Sequence, residues 1–421
     1  MSKKKIEVLC MHQNFPGQYR SLAPELNKLG RYNIRSLSIK EEGAITGIPH
    51  YSYNVAKGSN PATHSLAQEF ETKMIRAEAA ALKCIEFKKA GYTPDIILGH
   101  PGWGETLLVK DVWPNVKLLT FFEFYYNSSN SDIDFDNTLD EDLTPPGGFP
   151  LVSKLTARNH TGLMALSQSD AIVSPTKFQA STAPLIFRDK INIIHDGVDT
   201  GLLKKSDNAF IEVTKDGDPD NKIRLTQKDK VLTFVNRNLE PYRGYHILMR
   251  ALPEILDKHP DTHVLIVGGD GTSYGAAAPK GTTHKDIYYN KVKESLKGSN
   301  VRFVGRIPYN ILISMLSITT AHIYLTYPFV LSWSMLEAMS LESLIIGSKT
   351  GPVEELIENN KNGLLIDFLD HKQLAKTAIE VLDNPNDYNE LRKNARNTIV
   401  ENYDLHSVCL PKHLQLIKSL Q

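Results

Sequence analysis

The sequence predicts an α/β protein made of two doubly wound, Rossmann-like domains. Three observations carry that reading. Short apolar runs alternate with helical patterns over most of the chain, the pattern of βαβ units and parallel sheets. The runs fall into two series, one ending at His195 and one starting at Val231, with the polar stretch 204–230 between them. At 421 residues, each series is long enough to bury a core of its own.

In the first series, strands are expected at 6–12 (IEVLCMH), 33–39, 95–99 (DIILG), 117–122 (KLLTFF), 170–174 (DAIVS) and 191–195 (INIIH). Residues 65–90, rich in Ala, Glu and Lys, read as one long helix. Residues 204–230 carry Gly and Pro and no long apolar period, so they read as a linker or an edge excursion. The second series runs 231–236 (VLTFVN), 263–269 (HVLIVGG), 301–305 (VRFVG), 321–326 (AHIYLT) and 344–348 (LIIGS). An amphipathic pattern over 405–420 predicts a last helix that packs back onto the first domain. The expected domains are therefore 1–203 with 405–421, and 231–404, with a cleft between them. Doubly wound domains bind ligands beyond the carboxyl ends of their strands. The strand ends are thus the places to look for chemistry.

Charge narrows the partners. Lys plus Arg and Asp plus Glu each number 48, and the first 200 residues are nearly balanced too. No global field draws the chain to nucleic acid or to an anionic membrane. The cluster Lys3–Lys5 is too small to change this. The acidic run 132–142 (DIDFDNTLDED) reads as a solvated loop of the first half, since it lacks the spacing and glycine of a calcium loop. Cys10, Cys84 and Cys409 are far apart and odd in number, which excludes a disulfide framework or a metal knuckle and fits a reducing compartment. The basic start has too short an apolar run for a secretion signal, and no stretch approaches the roughly 20 apolar residues of a membrane span.

Several strand ends carry residues of interest. The segment 324–340, YLTYPFVLSWSMLEAMS, reads as strand, turn and helix. Free backbone N–H groups and the dipole of a helix N-terminus make an anion site, so Leu331, Ser332 and Trp333 are candidates to hold a phosphate. Glu337, a little further along, can accept bonds from sugar hydroxyls. A core βα unit with a chance glutamate is the plain alternative. After the strand at 231–236, Arg237 and Arg243 flank a Pro-containing turn and Gly244 opens a helix. Two arginines at one strand end suit a diphosphate. Gly268, Gly269 and Gly271 leave room for a ligand, and the backbone at Arg306 and Ile307 suits a nucleobase edge. The glutamates of Gly351–Glu355 read as balancing a helix dipole.

In the first half, Gly17 follows a strand and lets a ligand approach the backbone. His100 ends a strand among glycines and precedes Trp103 and Glu105. It can donate to or accept from a reacting hydroxyl, or simply bond a backbone carbonyl. Glu123 stands beside Tyr125 and Tyr126, either as a sugar-stacking surface or as the rim of a core cluster. No G-x-G-x-x-G, H-E-x-x-H, C-x-x-C or G-x-x-x-x-G-K-[ST] occurs.

Together the strings HQNFPGQ (12–18), HPGWGE (100–105), EFYY (123–126), SPTKFQ (174–179), HDGVDT (195–200), NRNLEPYRG (236–244) and TYPFVLSWSMLEAM (326–339) make the chain recognisable. It resembles the retaining glycosyltransferases of family four (group 1), and within them a bacterial subgroup, over nearly its whole length. The resemblance implies the GT-B fold, two Rossmann-like domains facing across a cleft. It implies that Arg237 and Arg243 bind the donor diphosphate and that Glu337 holds the ribose hydroxyls. Arg306 and Ile307 would read the base, and Leu331, Ser332 and Trp333 would turn over the phosphates. Gly17 would lie near the diphosphate, Gly268 and Gly269 along the donor, and His100 beside the transferred sugar. Trp103, Glu105, Tyr125, Tyr126 and Lys177 are the acceptor-side candidates. The wider family carries two glutamates eight residues apart, and Phe329 stands where the first is expected. Glu123 is the candidate to supply the missing carboxylate.

The implied reaction is transfer of a sugar from a UDP- or GDP-sugar with retention, without metal and without a cofactor beyond the co-substrate itself. His100, Glu123, Arg237 and Arg243 are the expected catalytic residues. The expected acceptor is a surface glycan or a lipid-linked saccharide. The expected compartment is the cytoplasm, extending to the inner face of the membrane through peripheral contact if the acceptor is a glycolipid. Three other readings stand beside this one: a transferase acting on modified DNA, disfavoured by the neutral charge; a nucleotide-sugar-binding protein that has lost catalysis; and a sugar-nucleotide epimerase of the same fold.

Overall fold

The computed structural model describes residues 5–139, 149–215 and 218–421. The chain divides into two compact units. Unit 1 comprises Met1–Ser128, Pro146–Gly197 and Leu405–Gln421, and unit 2 comprises Ser129–Pro145 and Val198–Asp404.

Unit 1 holds strands β1 (Ile6–Met11), β2 (Tyr32–Ser38), β3 (His50–Ser52), β4 (Ile96–Gly99), β5 (Lys117–Phe121), β6 (Ala171–Ser174) and β7 (Ile191–Ile193). They form one parallel sheet in the order β3-β2-β1-β4-β5-β6-β7. The apolar run of β1 is continuous because both faces of the sheet are covered. Val8 and Cys10 enter one core with Ile96 and Leu98, while Leu9 and Met11 enter the other with Ile97. The expected long helix is Gln68–Lys89, which buries Ala80, Ala81 and Cys84 in the second core. The last helix, Leu410–Ser419, puts Ile417 into the first core.

Unit 2 begins with an antiparallel hairpin of β8 (Ile211–Lys215) and β9 (Asp218–Leu225). Its parallel sheet holds β10 (Val231–Asn238), β11 (His263–Gly269), β12 (Asn300–Gly305), β13 (Ala321–Tyr324), β14 (Ile345–Ser348) and β15 (Leu364–Ile366), in the order β12-β11-β10-β13-β14-β15. Ile211 and Leu225 of the hairpin lie in the same core as Val231, Leu265 and Met335. The stretch 204–230 therefore packs on unit 2 rather than linking two bodies.

Two expectations are corrected here. The chain changes unit at Gly197, not at 203, because Val198 pairs with Asp404 and Leu203 is buried in the core of unit 2. The acidic run does not read as a solvated loop of the first half either. Ser129–Pro145 belongs to unit 2, and Asp132 is 1% exposed. Buried partners explain this, and they are described below. Residues 140–142 of that run lie outside the described residues, as do Lys3 and Lys4.

In each sheet the strand order reverses at one point: between β1 and β4 in unit 1, and between β10 and β13 in unit 2. Crossovers leave in opposite directions there, so each unit has a crevice of its own beyond the carboxyl ends of its two strands.

Candidate active site

In unit 1, β1 and β4 end in histidines at the point of reversal. His12 is 3% exposed, and its Nδ1 accepts from the Asn14 amide at 2.9 Å. That leaves its Nε2–H to donate to Gln18 Oε1 at 2.6 Å. Burial, with His100 nearby, pulls the His12 pKa down to about 3, so the ring is neutral. Gly17 has φ +45°, and a Cβ there would run into the His12 ring. Only glycine fits both the backbone and the space.

His100 is 1% exposed and caps the short turn Pro101–Trp103. Its Nδ1 accepts from the Gly102 amide at 3.1 Å, which places the proton on Nε2. Its ring lies between Phe121, at 5.4 Å and 23°, and Trp103, at 4.8 Å and 31°. Burial lowers its pKa to about 4. His100 is thus a fixed neutral donor. Its Nε2 is buried with no hydrogen-bond partner among the described residues, 3.7 Å from Glu123 Oε2. With a neutral ring this is not an ion pair. A sugar hydroxyl placed between them accepts from the histidine and donates to the carboxylate.

The structure brings Trp103 to both histidine rings, 5.0 Å from His12 and 4.8 Å from His100. Glu123, Tyr125 and Tyr126 are half-buried in the segment that follows β5. Gln179 Nε2 donates to the Glu123 carbonyl at 2.8 Å, and Asn159 holds both backbone groups of Tyr126. The Arg158 guanidinium covers the Tyr126 ring at 3.8 Å. Lys177 is exposed at the first position of the helix Lys177–Thr182.

Glu105 departs from its expected acceptor-side place. It is 1% exposed and accepts from the Tyr53 hydroxyl at 2.7 Å. Burial raises its pKa. The Gly104 before it takes φ +110° against the Lys73 carbonyl, where a side chain has no room.

In unit 2 the ends of β10 and β13 meet. Arg243 is 5% exposed, and its Nη1 donates to Thr326 Oγ1 at 2.7 Å. Its guanidinium carbon lies 5.0 Å from the centre of the Tyr274 ring and 5.8 Å from that of Phe329. Gly244 stands at φ +70° against Leu325, so the turn before the helix Tyr245–Lys258 closes without a side chain in the way. Glu240, 1% exposed, accepts from the amides of Ser273 and Tyr274 at 3.0 Å each and so holds the loop after β11.

Arg237 differs from Arg243 in being exposed. A Cβ on Gly269 would touch the Arg237 carbonyl and Arg306 Nε, so Gly269, Arg237 and Arg306 share one corner. Leu239 and the Asn236 carbonyl crowd Gly268. Ile307 packs on the core beside the open turn at Gly305. Glu337 is 7% exposed and accepts from the Tyr309 hydroxyl at 2.8 Å. Tyr309 follows Arg306 and Ile307 by two to three positions, so the expected base edge and the expected ribose carboxylate are neighbours.

The phosphate turn is more occupied than expected. The Ser332 amide donates to Tyr324 Oη at 2.8 Å, and Ser332 Oγ caps the helix Trp333–Ser340 by accepting from the Ser334 amide. Leu331 is buried in the core. An anion arriving here replaces bonds within the protein rather than meeting bare amides. Phe329, 3% exposed, packs 4.9 Å from Tyr274 and 5.5 Å from Tyr242. At this position the chain has an aromatic wall rather than a carboxylate.

Sequence reasoning passed over His12, Glu240, Tyr309 and Thr326. The strand-end rule that singled out His100 applies equally to His12, since both close a strand at the reversal. Nothing local marks Thr326 or Tyr309, whose partners lie 83 and 28 residues away.

Comparisons with known proteins bear on the family and the fold. Residues 31–203 match the family described as Glycosyl transferase family 4 group, and residues 218–398 match Glycosyl transferases group 1. The chain is 22% identical over 327 residues to the D-inositol 3-phosphate glycosyltransferase of Corynebacterium efficiens, covering 76% of this chain and 70% of that one. It is 28% identical over 180 residues to spore coat protein SA of Bacillus subtilis, covering 41% of this chain and 45% of that one. Among solved structures, sucrose-phosphate synthase from Thermosynechococcus elongatus superposes with a TM-score of 0.72 at 16% identity, over 99% of each chain. Anabaena HepE in complex with UDP and glucose superposes with a TM-score of 0.65 at 14% identity, over 98% of this chain and 100% of that one. The fold is that of the GT-B glycosyltransferases.

Proposed function

We propose that this chain, which carries a glycosyltransferase family 4 domain followed by a group 1 domain, moves a sugar from a nucleoside-diphosphate donor to a saccharide acceptor with retention at the anomeric carbon. The acceptor class is a surface glycan or a lipid-linked saccharide. One observation carries the donor half of this reading. Arg243 is buried at the end of β10 and bonded to Thr326 at the end of β13, at the reversal of a group 1 domain. A buried guanidinium with bonding directions to spare suits a diphosphate.

In the proposed reaction, the bond between the anomeric carbon and the diphosphate oxygen breaks as the acceptor oxygen bonds to the same face. The acceptor proton passes to the leaving phosphate oxygen. Arg243, with Arg237, offsets the charge that develops on the diphosphate, a contribution that grows toward the transition state. These two cations make a metal unnecessary in this reading. Glu337 accepts from the ribose, and the backbone at Arg306 and Ile307 meets the base. His100 donates its Nε2–H to a hydroxyl of the sugar, and Glu123 supplies the carboxylate that Phe329 does not.

A uridine donor is the first to try, since HepE was solved with UDP-glucose. The test is a thermal-shift screen of UDP, GDP, ADP and their sugar conjugates. A ligand that binds only the native state raises the midpoint with concentration. The conjugate that shifts the midpoint is then supplied with saccharide acceptors and the product's anomeric configuration is read by NMR. Absence of any shift, or an inverted product, overturns the proposal.

A further inference from the structure

The acidic segment 129–139 is built into unit 2 by specific bonds. Tyr242 Oη donates to Asp132 Oδ2 at 2.6 Å, and Tyr327 Oη donates to Asp136 Oδ2 at 2.7 Å. His246 Nε2, fully buried, lies 2.9 Å from the same Asp136 oxygen. Phe135 sits 5.3 Å from Tyr327 and 5.2 Å from Phe368, and Arg250 donates to Thr138 through both terminal nitrogens. Burying a carboxylate is costly unless strong donors meet it. A segment that merely joined β5 to the next helix would leave Asp132 and Asp136 in water. Burial opposes the charged form, but the close His246 ring, the Tyr327 hydroxyl and the Thr138 amide favour it and hold Asp136 well below the usual carboxylate range.

The two tyrosines are the neighbours of the candidate diphosphate residue. Tyr242 precedes Arg243, and Tyr327 follows Thr326, which Arg243 grips. The Tyr327 amide donates to the Tyr242 carbonyl at 3.0 Å, and the two rings lie 4.6 Å apart at 32°. Tyr242 in turn meets Phe329, and Phe329 with Tyr274 forms the wall beside the guanidinium.

We propose that Asp132 and Asp136 are positioning residues of the donor site, fixing Tyr242 and Tyr327 and through them the wall and the threonine that orient Arg243. Affinity for a nucleoside diphosphate therefore depends on two carboxylates that do not touch it. The inference rests on reading unit 2 as the donor domain.

The experiment uses the full chain and measures the dissociation constants of UDP, GDP and ADP by calorimetry, beside the melting temperature without ligand. Asp132→Ala and Asp136→Ala are expected to raise the dissociation constant of whichever diphosphate the wild type binds by tenfold or more. Asp132→Asn and Asp136→Asn, which keep an oxygen to accept from the tyrosine, are expected to recover most of that loss. Tyr242→Phe and Tyr327→Phe keep the rings and carry the same test if the alanine variants do not fold. They too are expected to weaken binding, by at least threefold. Lowered melting with affinity within twofold of wild type in all these variants makes the segment a mere scaffold and overturns the proposal. A wild type that binds none of the three diphosphates instead overturns the donor reading, and this inference with it.

Discussion

Acid should unfold unit 1 before unit 2, for a reason visible in five histidines. Burial holds His12, next to His100, at about 3, and burial likewise holds His100 at about 4. His195 and His413, buried against one another, also stand at about 4. All four belong to unit 1. In unit 2, His322 stands at about 4, and burial also lowers His246 and His263, with Asp136 opposing the shift at His246. Each of these pKa values is depressed from 6.5. Below pH 6.5 the unfolded chain therefore takes up protons that the native state refuses, and stability falls as pH falls toward the folded value. Between pH 7 and pH 5 each such histidine costs the native state about 2 kcal/mol. The four histidines of unit 1 then cost it about 8 kcal/mol and His322 costs unit 2 about 2, to which His246 adds, against a typical domain stability of about 5–15 kcal/mol. Glu105 works the other way, because its raised pKa makes its cost greatest near neutrality, but it is one group against four. Asp136 and Asp170, with lowered values, begin to lose their contribution only near pH 4, below this window. The assay is urea unfolding followed by tryptophan fluorescence, which favours unit 1 because Trp103 and Trp113 lie there and only Trp333 lies in unit 2. With a slope of about 2–3 kcal/mol per molar urea, the midpoint should fall by about 3 M between pH 7 and pH 5. A midpoint that stays within 0.5 M, taken as about a sixth of that shift, refutes the account of these histidines as neutral and buried.

Three further outcomes are expected. Arg243→Ala removes a charged donor set worth about 1.5–3 kcal/mol per bond, so diphosphate affinity should fall by about a hundredfold or more, and unchanged affinity by calorimetry would sink the diphosphate assignment. His100→Phe keeps a ring between Trp103 and Phe121 but removes Nε2–H; kcat/KM should drop by about ten- to a hundredfold, one charge-assisted or neutral bond's worth, with the melting temperature little changed. Gly17→Ala forces a side chain into φ +45° and into the His12 ring, so the protein should lose about 1–3 kcal/mol of stability in chemical denaturation and, with the His12–Gln18 bond displaced, part of its turnover.

What the chain discloses before folding, and what it withholds, follows from the range of the forces involved. The strands of both sheets were legible because a doubly covered strand is a short apolar run, and that is local information: Val8 to Met11 is such a run whichever residues cover it. β3 and β15 escaped because three residues, partly polar in His50–Ser52, make no run. The strand-end candidates were legible for a similar reason, since a histidine or arginine just past an apolar run needs no partner to be noticed. Their states were not. His100 is a neutral donor only because Phe121, Trp103 and the Gly102 amide enclose it, and the partner of the buried Glu105 is Tyr53, 52 residues away. The acidic segment shows the limit most clearly. Its charge pattern is that of a solvated loop, and the pattern is correct for Asp134, which caps nearby amides at the surface. Asp132 and Asp136 alternate with it at a spacing of two, and each meets a tyrosine 110 or 191 residues away. No window along the chain contains both partners of such a pair. The same separation explains why Phe329 was read as a missing carboxylate. In the folded chain it is one side of an aromatic enclosure whose other members, Tyr242 and Tyr274, come from the ends of two other strands. A glutamate placed there would have to be buried beside Arg243, within a wall that the two aspartates already hold in place from behind.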